Sequence, residues 1–323
     1  MDRALLITGE GLGNIIQSTA AISQFQATFH RQMSLDVLVY RRPEFAPLVE
    51  GDHRTLTEPT GEKYTYIIPI WLFREYALRM KIVRRGRTNV IPGCNPLNLD
   101  ISESEALIRA VRAVAVLQGV DIDPAFTPRT WCNYEISDEI ESLLDREDPV
   151  VCLHDGSKPG RFWLAKRYPH WQKVHDLVIE AIPKATFFVL GTVKDGLITG
   201  DNVVDMRERL SILNTAGLLR RADLFIGNDS GLAHISAAQG TKALIVFGPT
   251  NIVKNLPPQN AYPMTENEGL ACRPCQSIVG RWCIGVDGKR CHRECFDDLP
   301  AEGVAGRVLD ALRNDSGNGK ETQ

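Results

Sequence analysis

The chain has 323 residues, 43% apolar and 24% charged, with 37 basic against 40 acidic side chains and a formal net charge of −3. That length supports two domains with separate cores, and the near balance of charge gives no global attraction to nucleic acid, so no nucleic-acid partner is expected. No stretch approaches the ~18 consecutive apolar residues of a membrane span, and Met1-Asp2-Arg3 leads straight into a strand-like run without a secretory pattern, which sets the expectation of a soluble, cytoplasmic protein.

Ala4 to Thr8 is a short apolar run ending in Gly9-Glu10-Gly11-Leu12-Gly13-Asn14, after which Ile15, Ile16, Thr19, Ala20, Ile22 and Phe25 recur at helical spacing. With the next apolar run, Leu35 to Tyr40, this predicts a strand, a tight loop, a helix and a second strand. Tyr64 to Ile70 reads as a further strand, and Trp71 to Arg85 as a helix with a basic face. Ser102 and Glu105 have the spacing of a capping box ahead of a helix running to about Gln118.

Gly119 to Asn133 lacks periodicity and reads as a linker, so the expected division is 1–125, 126–313 and a flexible tail, 314–323. Glu135 to Leu144 reads as a helix. The alternation then becomes clearer: strands at Val150–His154, Thr186–Leu190, Leu224–Ile226 and Ala243–Phe247, and helices at His170–Ala181, Leu210–Arg221 and Gly231–Gln239. Short strands alternating with helices predict parallel sheets covered on both faces. The fold class is α/β with two Rossmann-like domains, expected to face each other across a cleft. Pro300 opens a last helix to about Leu312, anchored by Val304, Val308 and Leu312.

Gly227-Asn228-Asp229-Ser230-Gly231-Leu232-Ala233-His234 falls between a strand and a helix, at the carboxyl end of a parallel strand, where open α/β sheets bind ligands. Backbone N–H groups at that helix start favour a phosphate, and Ser230 adds a hydroxyl. Asp229 would repel a phosphate, so it is expected to cap the helix, hold a basic residue or face sugar hydroxyls; an ordinary helix cap is the plain alternative. His234, four residues after Ser230, shares its face and is either a donor to phosphate or a buried imidazole. Ser157, Lys158, Arg161, Lys166 and Arg167 supply hydroxyl and cations after the strand ending at His154.

The first glycine loop matches a dinucleotide fingerprint weakly, with Asn14 where the third glycine belongs and no acidic residue ending the second strand, which disfavours a hydride-transfer enzyme. Five of the eight cysteines lie between Cys272 and Cys295. Cys272, Cys275, Cys283 and Cys295 have the spacing C-x2-C-x7-C-x11-C, with Cys291 as an alternative, and this predicts a structural zinc or iron site.

These residues resemble the ADP-heptose:lipopolysaccharide heptosyltransferases, glycosyltransferase family 9. The likeness rests on Gly11-Leu12-Gly13-Asn14-Ile15, Lys166-Arg167-Tyr168-Pro169-His170-Trp171, Asp229 to His234, Phe247-Gly248-Pro249-Thr250, and Cys272-Arg273-Pro274-Cys275. The resemblance implies a GT-B fold and transfer of a heptose-type sugar from a nucleoside-diphosphate donor to a glycan, glycolipid or protein hydroxyl. It implies that Asp229, Ser230, Gly231 and Leu232 contact the donor, that Lys166 neutralises a phosphate, and that His234 supports the motif; Gly13 and Ser157, from the glycine loop and the loop after His154, are further candidates for donor contact.

The family places a catalytic aspartate where this chain has Asn14. An amide orients a hydroxyl but takes up no proton near neutrality, so Glu10 and then Asp155 are the substitute candidates for a general base. A sugar-nucleotide-binding protein without transfer activity is the alternative that Asn14 permits. Arg74, Arg79, Lys81, Arg84, Arg85 and Arg87 form a basic stretch, either a solvated helix face or a contact for an anionic glycan at the inner membrane surface.

Overall fold

The structure, a computed structural model, describes residues 2–9, 11–30, 32–70, 88–93, 100–144, 148–157, 161–265, 294–297 and 299–315. The chain divides into two compact units, residues 1–133 with 257–259 and residues 134–256 with 260–323. Glu10, the helix expected over 71–85 with its basic stretch, Lys158, and Cys272, Cys275, Cys283 and Cys291 lie outside the described residues. Among the described residues no helix is long and apolar enough to cross a membrane.

The first unit is built on β1 (Asp2–Gly9), α1 (Leu12–Phe29), β2 (Met33–Tyr40), β3 (Arg54–Leu56), β4 (Tyr66–Pro69), β5 (Asn89–Val90) and α2 (Glu103–Gln118). Its sheet runs β3-β2-β1-β4-β5, with every pairing parallel. Residues 4–9 of β1 are all buried, as expected of a central parallel strand. α1 buries Ile22, Phe25 and Phe29 in one cluster with Leu107, Val111 and Val114 of α2. Each such side chain contributes roughly 1.5–3 kcal/mol on burial. Ser102 caps α2 by accepting the Glu105 N–H at 3.1 Å, while the Glu105 carboxylate turns to Arg109 instead of completing the box.

The stretch before Asn133 is not a free linker. Trp131 donates its backbone N–H to Thr19 and its indole N–H to Ser23, and Asn133 bonds the carbonyls of Pro47 and Glu50. The division therefore falls between Asn133 and Tyr134, later than 125/126, because aperiodic segments still dock through local hydrogen bonds.

The second unit contains α3 (Asp138–Leu144), β6 (Val150–His154), α4 (Arg161–Leu164), α5 (Trp171–Ala181), β7 (Thr186–Val189), β8 (Val203–Asp205), α6 (Ile212–Arg221), β9 (Leu224–Asn228), α7 (Gly231–Ala238), β10 (Ala243–Val246), α8 (Ile252–Asn255), β11 (Ala261–Met264) and α9 (Ala301–Asp315). Its parallel sheet runs β11-β10-β9-β6-β7-β8. β8 and β11 were not expected from sequence, being short and only partly buried. α9 runs through Asp315, beyond Leu312, with Val304 and Val308 fully buried against a core that includes Trp171, Val174 and Val178. Tyr168 anchors this packing by donating its hydroxyl to the Leu299 carbonyl at 2.7 Å.

Candidate functional site: the strand ends of the two sheets

In the second sheet, strand order reverses between β6 and β9, which are paired with His154 opposite Gly227. A crevice at the carboxyl ends of two such strands is where doubly wound sheets place ligands. Asn228, fully buried at the end of β9, ties the region together. Its side-chain oxygen accepts from the Tyr168 N–H at 3.1 Å and the Trp171 indole at 3.2 Å, and its Nδ2 donates to Asp155 at 3.0 Å.

Two polar couples follow. Lys166 Nζ lies 2.8 Å from Asp229 Oδ2, and both residues are buried. Of the three roles open to Asp229, the structure selects the holding of a basic residue. Lys166 is consequently committed to a carboxylate, and its ammonium also lies 5.3 Å from the Trp163 ring centroid.

Ser230 is the N-cap of α7 by backbone conformation, but its side chain makes no capping bond. Its Oγ instead lies 2.9 Å from His154 Nδ1. The first-turn amides of α7 thus receive no side-chain cap, and such a helix start attracts anions.

Behind His154 stands Asp195, with Oδ2 at 3.6 Å from Nε2. Burial pushes the Asp195 carboxyl up, but His154 and the backbone and hydroxyl of Thr192 override this and hold it at about 2. Arg167 closes the chain, 2.9 Å from Asp195 and 3.3 Å from the Ser157 hydroxyl. Two glycines make room: a Cβ on Gly191 would stand 2.6 Å from Asp195 Oδ2, and one on Gly156 would overlap the His154 ring.

Asp155 is raised to about 6, mainly by burial, against the lowering effect of the Asn228 bond and Arg167. His234 is 4% exposed and lowered to about 4, burial outweighing the attraction of Asp229; its Nδ1 is buried without a hydrogen-bond partner. It is therefore a neutral core imidazole, not a cation for phosphate. Gly231 is half-buried, as is Ser157, whereas Leu232 is buried.

The first unit offers a second, smaller constellation. Asn14, in the first turn of α1, donates its Nδ2 to Glu103 Oε2 at the start of α2. Gln17 donates to the same oxygen at 3.2 Å. Gln17 is itself fixed, its Oε1 accepting from the Ser104 N–H and its backbone carbonyl from the Ser104 hydroxyl. A carboxylate only accepts, so the Asn14 amide is turned with Nδ2 inward and Oδ1 away from Glu103.

Glu103, His154 and Asp195 were not singled out from sequence, and Asn228 stood in the glycine motif without a role of its own. Glu103 is an acidic residue in a helix first turn, usually read as a dipole partner. The signal for His154 and Asp195 was indirect, residing in the two glycines that give them space.

A family model described as glycosyltransferase family 9 (heptosyltransferase) matches residues 127–281. A lipooligosaccharide heptosyltransferase 2 of Campylobacter jejuni subsp. jejuni serotype O:2 is 28% identical over 190 residues, 53% of this chain and 56% of its own length, so the chain spans about half the length of that curated relative. The structure of E. coli ADP-heptose LPS heptosyltransferase II superposes with a TM-score of 0.67 at 17% identity, covering 98% of this chain and 100% of that one. The iron-containing dodecameric heptosyltransferase TibC of enterotoxigenic E. coli, solved with ADP-D-beta-D-heptose, gives 0.62 at 13% identity, covering 97% and 76%.

The two parallel sheets and these superpositions define the GT-B class of fold. Within that class, the part of the chain that resembles a known family is residues 127–281, which match glycosyltransferase family 9.

Proposed function

We propose that the chain is a glycosyltransferase that moves a heptose-type sugar from an ADP-linked donor to a hydroxyl of a lipopolysaccharide core, another glycan or a protein. The observation that carries the reading is the uncapped start of α7 at the β6–β9 switch point, with Ser230 beside it and the Lys166–Asp229 pair next to it in sequence and space. The family match over residues 127–281 and the ADP-heptose named with TibC support this donor class.

In this reading the α7 amides and Ser230 hold the diphosphate. As the anomeric bond breaks, negative charge grows on the departing oxygen, and dipoles and cations already in place stabilise that state without reorganising. Lys166, held by Asp229, provides a positioned charge, and Arg167 a second one braced by Asp195. His234 is assigned to packing of the motif, in view of its burial.

Asn14 Oδ1 accepts the hydrogen bond of the attacking hydroxyl and orients it, and Glu10, with Asp155 as the second candidate, is assigned as the base that takes up the hydroxyl proton as the new bond forms. Glu103 gives a physical reason for the amide at this position: an aspartate there would set two carboxylates against each other.

Cys272, Cys275, Cys283 and Cys295 are assigned to a structural zinc or iron; their spacing and the iron-containing TibC support this. Of the four, only Cys295 is among the described residues, where it is half-buried. The basic stretch 74–87 is assigned to an anionic acceptor at the inner membrane surface, and the chain to the cytoplasm. Calorimetric titration with ADP and ADP-heptose tests the donor assignment. Binding that Lys166→Met weakens at least tenfold is expected; equal binding by both forms refutes it.

A further inference from the structure

We propose that His154, held by Asp195, is a positioning residue that sets the direction of the Ser230 hydroxyl, so that binding of a donor diphosphate draws a proton onto the imidazole. The inference rests on the donor reading above and goes beyond it by coupling donor affinity to protonation.

The geometry leaves the ring little choice. Nε2 faces the Asp195 carboxylate at 3.6 Å, and Nδ1 faces Ser230 Oγ at 2.9 Å. Gly156 and Gly191 wall the ring and the carboxylate so closely that neither tolerates a Cβ beside it. With a carboxylate behind Nε2, that nitrogen carries the proton of the neutral imidazole, and Nδ1 presents a lone pair.

Ser230 must then spend its only proton on Nδ1, and its hydroxyl offers lone pairs outward. Those repel phosphate oxygens. In the imidazolium, Nδ1 donates to Ser230 Oγ, and the serine proton becomes free to donate outward. Ser230 is half-buried and is itself the N-cap of α7, next in sequence to the first-turn amides that lack a side-chain cap. An anion bound there prefers the second state and pulls a proton from solution.

Among the described residues, the charged groups around His154 are Asp195 on the loop after β7, Asp155 next to it in sequence, and Arg167, which pairs with Asp195; the Lys166–Asp229 pair adjoins Ser230. Two carboxylates and one guanidinium thus surround the ring, and a diphosphate bound beside Ser230 adds negative charge on its Nδ1 side, which favours the imidazolium.

The test is titration calorimetry of the full chain with ADP-heptose, whose two phosphates are both esterified and do not titrate near neutrality. Measurements run at pH 6, 7 and 8, in buffers of differing ionisation enthalpy. The wild type is expected to take up a fraction of a proton approaching one at the higher pH, with affinity falling severalfold to tenfold per pH unit. Ser230→Ala and His154→Gln are each expected to abolish the uptake and flatten the pH dependence. Should His154→Gln fail to fold, as judged by its melting, Ser230→Ala decides alone. Binding without proton uptake, or uptake undiminished in Ser230→Ala, overturns this inference while leaving the donor reading intact. No binding of ADP-heptose by the wild type overturns both.

Discussion

Replacing Asp229 by leucine strands an ammonium inside the second unit. Lys166 Nζ lies 2.8 Å from the lost carboxylate, and both side chains are at most a tenth exposed. At an effective dielectric of 20 the gross attraction at this separation is about 6 kcal/mol. Most of it is offset by desolvation, and removing one partner of a buried pair typically costs ~3–5 kcal/mol. Asp229→Leu is therefore expected to lower the unfolding free energy by about 3 kcal/mol or more, measured by urea denaturation with circular dichroism. Lys166→Met is expected to cost a similar amount, since it strands the carboxylate.

The double variant, Lys166→Met with Asp229→Leu, removes both desolvation penalties and is expected to lie within ~1 kcal/mol of wild type. The coupling across the cycle is then several kcal/mol. Single variants that each cost less than ~1 kcal/mol and add in the double would show a hydrated, dispensable contact. In that event the proposed positioned charge loses its physical basis.

Stability should also respond to pH with opposite signs at buried His234 and half-buried Asp155. His234 falls from an ordinary 6.5 to about 4 in the fold, so the unfolded chain binds the extra proton and stability drops as pH falls from 6.5 toward 4, by about 3 kcal/mol in full. Asp155 rises from 3.8 to about 6, so its contribution is present below 3.8 and declines by about 3 kcal/mol as pH rises through 6. Measured as differences from wild type, His234→Phe should remove the first slope and Asp155→Asn the second; unaltered slopes contradict the burial argument. Asn14→Asp is expected to lose on the order of 2 kcal/mol above neutral pH and to recover most of it when combined with Glu103→Gln, whereas a fully stable single variant would mean that the two side chains do not meet. Replacing Cys272 and Cys275 by serine should release bound zinc or iron, read by elemental analysis, and lower the melting temperature; unchanged metal content would refute the assignment.

The α/β alternation of both units was legible because buried parallel strands such as Val150–His154 read as unbroken apolar runs. Edge strands gave no such signal: Val203–Asp205 is only partly buried, and β11 contains Tyr262, half exposed, and Pro263. The segment Gly227 to His234 stood out as a candidate anion site because glycine, a hydroxyl and a helix start fall within a few residues. What it joins was not: the partners of Asp229, Ser230 and Asn14 lie 63, 76 and 89 residues away in sequence, and only folding brings them together. Asn14 shows the consequence most clearly. From sequence it is a missing base; beside Glu103 it is an amide with a fixed orientation.

The most direct test of the account is the release of ADP from ADP-heptose by the full chain, alone and with a heptose-deficient lipopolysaccharide core as acceptor, compared between the wild type and Lys166→Met. The acceptor is expected to stimulate release in the wild type, and Lys166→Met to reduce the stimulated rate at least tenfold, with the folded fraction matched by circular dichroism. A wild type that neither binds nor cleaves ADP-heptose, or a Lys166→Met variant that turns over like wild type, would contradict the proposed function.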